Sequence, residues 1–131
     1  MNILVDTGPL YALAVPSDQY YKRAYAEVGK LKQNNLNVVT LYPLIFETYS
    51  LLLRRITPAK GHTWLRKTLR EVGVLSPNAQ DYADAVQKVT AYSDQALSLY
   101  DGLLTVMSER LELPIWTFDS DFDVMGANVW R

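Results

Sequence analysis

Met1-Asn2-Ile3-Leu4-Val5-Asp6-Thr7-Gly8-Pro9-Leu10 opens the chain and governs how the rest of it is read. Ile3, Leu4 and Val5 form a continuous apolar run, not an alternating one, as expected of a strand covered on both faces of a parallel sheet. Thr7 and Gly8 read as a turn, and Pro9 suits the first position of a helix, where its missing N–H costs nothing. Asp6 is thereby placed at the carboxyl end of a first parallel strand, the edge at which open α/β sheets bind ligands. The same carboxylate would serve equally to cap the following helix, and this stretch alone does not choose between the two roles.

Working outward, strands alternate with helical stretches. A helix starts at Pro9 to Leu13, and a second, capped by Ser17 or Asp18, carries Tyr21, Ala24, Tyr25, Val28 and Leu31 at helical spacing until Asn34 and Asn35 end it. Leu36 to Thr40 reads as a strand. Thr40 then caps a helix running to about Arg55 with Pro43 in its first turn. That helix has two apolar faces, one of Leu41, Leu44, Leu51 and Leu52, the other of Tyr42, Phe46, Tyr49 and Leu53. The second face needs either another helix of the same domain or a subunit or partner surface. After Pro58 a helix turns Trp64, Leu65 and Leu69 inward, and Val72 to Leu75 reads as a short strand. Ser76 and Pro77 cap and open a helix with Ala79, Tyr82, Ala83, Val86 and Val89 as its core positions. A further helix runs from near Ser98 to before Pro114, Ile115 to Phe118 reads as a strand ended by Asp119, and Val129 with Trp130 as a last edge strand. The pattern predicts an α/β fold, one domain over residues 1–131, with a central parallel sheet flanked by helices.

The 131 residues and 49% apolar content suffice for one sizeable core, and the absence of cysteine removes disulfides and thiolate metal sites. No signal peptide and no apolar segment of membrane-spanning length is recognised, so a soluble cytoplasmic protein without membrane association is expected. The net charge of −1 argues against an overall basic nucleic-acid-binding surface. Charge is unevenly spread, however. Between Glu47 and Glu71 lie no acids but six of the thirteen cations, Arg54, Arg55, Lys60, Arg66, Lys67 and Arg70. These either hold RNA phosphates or form a solvated helix face. Tyr11 and Trp64 are aromatic residues that either stack bases or pack in the core.

Four carboxylates stand out. Asp6 and Asp119 each follow an apolar strand and should emerge at the same sheet edge. Asp101, three residues after Ser98, lies in a first helical turn that faces that edge in an α/β pattern, although capping and the macrodipole alone would also favour it there. Glu47 lies between Leu44 and Leu51 inside an apolar stripe, with no cation at helical contact distance. Such a carboxylate needs a distant Arg or Lys, or a metal. Oxygen ligands converging on one edge, with His62 the only histidine and no cysteine, suit Mg²⁺ or Mn²⁺ and disfavour zinc.

The motifs Asp6-Thr7-Gly8-Pro9, Leu41-Tyr42-Pro43-Leu44-Ile45-Phe46-Glu47, Leu97-Ser98-Leu99-Tyr100-Asp101 and Thr117-Phe118-Asp119-Ser120-Asp121-Phe122, in this order, resemble the PIN-domain ribonucleases, and among them the small VapC-type toxins. The resemblance implies a PIN-like three-layer sandwich. It further implies that Asp6, Glu47, Asp101 and Asp119 are the acidic quartet binding Mg²⁺ or Mn²⁺ for RNA phosphodiester hydrolysis, with Asp121 as an auxiliary ligand and Thr7 and Thr117 as supporting hydroxyls. A homodimer and a cognate antitoxin are implied in the same way. One departure is that Tyr100 and Gly102 flank Asp101, where relatives more often carry a small or hydroxyl residue and Ala. Two other readings stand beside this one: a PIN-fold module that binds RNA or protein without cleaving it, and a receiver- or phosphatase-like domain phosphorylated on Asp6. The latter requires a lysine after a late strand or a second Asp two residues on, where Gly8 stands.

Overall fold

The computed structural model describes residues 1–131. Its elements follow in the order β1 (Asn2–Val5), α1 (Thr7–Ala14), α2 (Tyr21–Gln33), β2 (Asn37–Leu41), α3 (Tyr42–Arg55), α4 (Pro58–Glu71), β3 (Gly73–Leu75), α5 (Ala79–Thr90), α6 (Leu99–Leu111), β4 (Ile115–Trp116) and α7 (Asp121–Val124). The four strands form one parallel sheet in the order β3-β2-β1-β4. The order reverses beside β1, so the carboxyl ends of β1 and β4 flank the crevice where open α/β sheets take their ligands.

Burial on both faces explains the unbroken apolar run of β1. Leu4 joins a cluster with Leu44, Leu104, Met107, Ile115 and Phe122 on one face. Ile3 and Val5 join Leu10, Ala24, Leu31 and Trp116 on the other. The fold is thus the expected three-layer α/β sandwich. No helix is long and apolar enough to cross a membrane.

Several local expectations are corrected. α1 begins at Thr7, which makes Pro9 its third residue, still within the first turn whose N–H groups have no helical partner. Thr40 does not cap α3; it lies in β2, and its hydroxyl donates 3.0 Å across to the Val5 carbonyl. α5 starts after Asn78, not Ser76, because Asn78 and Asp81 form a reciprocal capping box that satisfies two backbone donors. β4 stops at Trp116, and Val129 contributes a single parallel bridge to Ile115 in place of an edge strand. In α4, Leu69 is exposed while Gly61 and Thr68 are buried. A Cβ at Gly61 would lie 3.3 Å from the Tyr49 ring and 3.5 Å from Leu53, so the second apolar face of α3 is partly covered within the domain. Tyr42 and Phe46 on that face remain exposed.

The largest reversal concerns α5. Tyr82 and Val86, expected inside, are exposed, whereas Asp81 and Ala85 are buried. Two features of α6 select this face. Arg110 makes paired 2.8 Å hydrogen bonds to both oxygens of Asp81, holding that carboxyl below the usual aspartate range, with the Asn78 N–H adding to the effect. Gly102 lets the two helices close: a Cβ there would stand 2.5 Å from Val89 Cγ1 and 3.1 Å from the Ala85 carbonyl oxygen. This explains why glycine follows Asp101. Gly102→Ala should therefore lower stability by about 1–3 kcal/mol in chemical unfolding, although alanine is the better helix former. Unchanged or higher stability would show that the α5–α6 contact is looser than the structure shows.

Candidate metal centre

Each acidic residue reaches the crevice by a different local device. Asp6 follows β1 directly, with its N–H bonded to the Trp116 carbonyl at 3.0 Å. It occupies the N-cap position of α1, but its side chain makes no capping bond. The carboxylate is instead held by the Thr117 hydroxyl, which donates to Oδ2 at 2.8 Å, while the Asp119 N–H donates to that hydroxyl at 3.0 Å. This turn competes with the sheet ladder, which is why β4 ends at Trp116 and Asp119 stands on a loop, not at a strand end. Asp101 lies in the first turn of α6, where its N–H donates to the capping Ser98 hydroxyl at 3.1 Å. The capping role and the cleft position are therefore both fulfilled at this residue.

Asp6, Glu47, Asp101 and Asp119 line one open cleft with Thr7, Ser98, Tyr20 and Phe118. Carboxylate oxygens of Asp101, Asp119 and Asp121 lie within 4.8 Å of one another, and the Asp121 N–H donates to Asp119 at 2.9 Å. Asp121 thus belongs to the tightest acidic group. Asp6 and Glu47 share the cleft but stand outside that group.

Burial and mutual repulsion shift Asp6, Asp101 and Glu47 upward. Asp6 is pushed up to about 7, first by burial and then by Asp101, against the hydrogen bond from Thr117. Asp101 rises to about 6 through burial, opposed by Ser98 and reinforced by Asp119 and Asp121. Glu47 is raised by burial and then by Asp101, against the Thr7 hydroxyl beside it. Its Oε2 and the Thr7 hydroxyl are buried side by side, close enough to interact but outside good hydrogen-bond geometry, and neither has another partner. No Arg or Lys forms an ion pair with Glu47, so the distant-cation reading of this residue is not what the structure shows. Unpartnered buried oxygens beside crowded carboxylates fit a hard divalent cation, which would satisfy the oxygens and relieve the repulsion.

The family model for the PIN domain matches residues 3–128. The chain belongs to the PIN domain family. No curated protein matches it by sequence. Among solved structures, this PIN domain is similar to VapC20 of Mycobacterium tuberculosis, described as a sarcin–ricin loop cleaving toxin, with a TM-score of 0.82, 22% identity and 95% of each chain covered. It is also similar to VapBC2 of Rickettsia felis bound to a promoter DNA fragment, with a TM-score of 0.77 and 10% identity over 100% of this chain and 98% of that one. VapBC-1 of nontypeable Haemophilus influenzae gives a TM-score of 0.75 and 14% identity over 100% and 97%. At these identities the likeness concerns the fold.

The cations do not gather as one patch in this PIN domain. Arg54 lines a depression that shares Glu47 with the acidic cleft. Arg55 lies 5.4 Å from the Tyr11 ring centroid, and Lys60 and Lys67 border a separate groove with Trp64. Arg66 and Arg70 are exposed. Trp64 packs against the core, so the aromatic residues beside the acids are Tyr20 and Phe118, which periodicity did not single out. No lysine lines the cleft, as an Asp6 phosphotransfer site would need.

The raised acids set the pH dependence of the metal-free protein. Folded Asp6 keeps its proton to about pH 7, whereas an unfolded aspartate loses it near 4. The native state therefore binds more protons in this window, and stability falls as pH rises through it. Thermal unfolding in chelator should show a midpoint that declines between about pH 5 and pH 7.5, and Asp6→Asn should remove most of the decline. A variant with the wild-type slope would assign the effect elsewhere.

Proposed function

We propose that this PIN domain, one domain over residues 1–131, is a divalent-metal-dependent endoribonuclease and the toxin of a toxin–antitoxin pair acting in the cytoplasm. The observation that carries the proposal is the convergence of Asp6, Glu47, Asp101 and Asp119 on one cleft at the topological switch point, with the buried Glu47 Oε2 and Thr7 Oγ1 unpartnered. These carboxylates, with Asp121 at their edge, would hold Mg²⁺ or Mn²⁺. Such an ion supplies charge neutralisation at a phosphoryl group and lowers the pKa of a bound water. The chain's own part is positional. Thr117 fixes the direction of the Asp6 oxygen, and Ser98 anchors the turn that carries Asp101. Arg54, which shares a depression with Glu47, would hold a phosphate flanking the reacting one; Arg55, Lys60, Arg66, Lys67 and Arg70 would meet more distant parts of an RNA.

Likeness to VapC20, VapBC2 and VapBC-1 supports the toxin assignment and a cognate antitoxin as partner. A homodimer is proposed with them, since Tyr42 and Phe46 on α3 and Tyr82 and Val86 on α5 leave apolar surface uncovered. Purified protein should cleave members of a panel of structured and single-stranded RNAs with Mn²⁺. EDTA should abolish cleavage, and Asp101→Asn should lower it at least about a hundredfold while leaving the fold intact. Absence of cleavage by folded protein that binds Mn²⁺ would contradict the nuclease and leave a binding module.

A further inference from the structure

The acidic cleft has two flanks. Through Glu47 it adjoins the depression containing Arg54 and Tyr100. Through Phe118, Asp119 and Ser120 it adjoins a second depression containing Arg23 and Arg131. Arg131 is engaged by both oxygens of Asp123 at 2.7 and 2.8 Å, but the one carboxylate that Arg23 meets is Glu27, at 3.5 Å, and half of its side chain stays exposed. An exposed contact of that length is worth little, so Arg23 is available to an anion.

A braced aromatic pair stands between Arg23 and the acids. Phe118 lies in sequence between Thr117 and Asp119, and its ring is fully engaged. The Arg23 guanidinium lies 4.5 Å from its centroid, Trp116 meets it edge-on at 6.4 Å, and Gly8 lies alongside it. Tyr20 rests on this support with ring centroids 5.0 Å apart and a tilt of 32°. The Tyr20 N–H donates to Asp18 Oδ2 at 2.9 Å, which fixes the residue just ahead of α2. Tyr20 nevertheless keeps 37% of its surface exposed and lines the acidic cleft. A rigid aromatic wall, with an available guanidinium behind it and acids in front, has the chemistry of a stacking site on a nucleic-acid strand.

We infer that Tyr20 is a nucleobase platform: an unpaired base beside the reacting phosphate stacks on its ring while Arg23 meets the next phosphate. The inference takes its ligand class from the nuclease reading. It adds the residue that would read strandedness, because a base inside a duplex cannot offer its face to Tyr20. Stacking tolerates any base, so Tyr20 selects strandedness and leaves base identity to other contacts.

The test measures binding, with Mn²⁺ present and Asp101→Asn as the background so that the probe is not consumed. The probes are labelled oligoadenylate and an abasic ribose-phosphate polymer of equal length. Tyr20→Leu should weaken oligoadenylate binding by about tenfold, Tyr20→Phe should preserve it, and the abasic polymer should bind all three proteins alike. An RNA duplex should compete poorly. Equal weakening of both probes, no change with Tyr20→Leu, effective competition by duplex, or no binding of oligoadenylate would each overturn the platform. Base-dependent binding without cleavage by the wild-type chain would remove the nuclease reading and leave the platform standing.

Discussion

Carboxylates brought together away from water repel one another and lose hydration, and the rest of this fold is arranged to hold them there regardless. Asp6 is buried at the end of the central strand, with Asp101 and Glu47 near enough to raise its proton affinity further. Nothing cationic lines the cleft to offset this. The cost is carried by the sandwich: β1 is covered on both faces by large apolar side chains, so Asp6 cannot move out of the cleft without disturbing both clusters. Crowding of this kind would couple the binding of a divalent cation to stability.

Two small residues transmit that rigidity. Thr117 links the Asp119 backbone to the Asp6 carboxylate, so the ends of β1 and β4 are tied by a side chain where the ladder stops. Gly102 lets α6 lie against α5 at van der Waals distance, immediately after Asp101. The Asp81–Arg110 pair anchors the same two helices nearer the carboxyl end of α6. Placement of Asp101 is thus governed by a helix contact as much as by its own Ser98 cap.

Much of this was legible in the sequence because each acid interrupts a local pattern. Asp6 ends an apolar run, Glu47 breaks a leucine stripe and Asp101 follows a capping serine, and all three line the crevice. The parallel sheet was legible from the alternation of strand and helix signals. What could not be read depended on partners distant in sequence. The buried face of α5 was misassigned because an aspartate is inside only when an arginine 29 residues away meets it. The early end of β4 follows from the hydroxyl contact between Thr117 and Asp6, 111 residues apart. Tyr20 belongs to no apolar period, and only its contact with Phe118 places it at the cleft.

If these crowded acids form one divalent-cation site, binding of the ion must displace the protons that burial holds on them. Calorimetric titration with Mn²⁺ at about pH 6, repeated in buffers of different ionisation enthalpy, measures both binding and the protons released. Binding accompanied by proton release in the wild type, and lost in Asp6→Asn, is the predicted result. Absence of binding, or binding with equal affinity and proton release in Asp6→Asn, would contradict it.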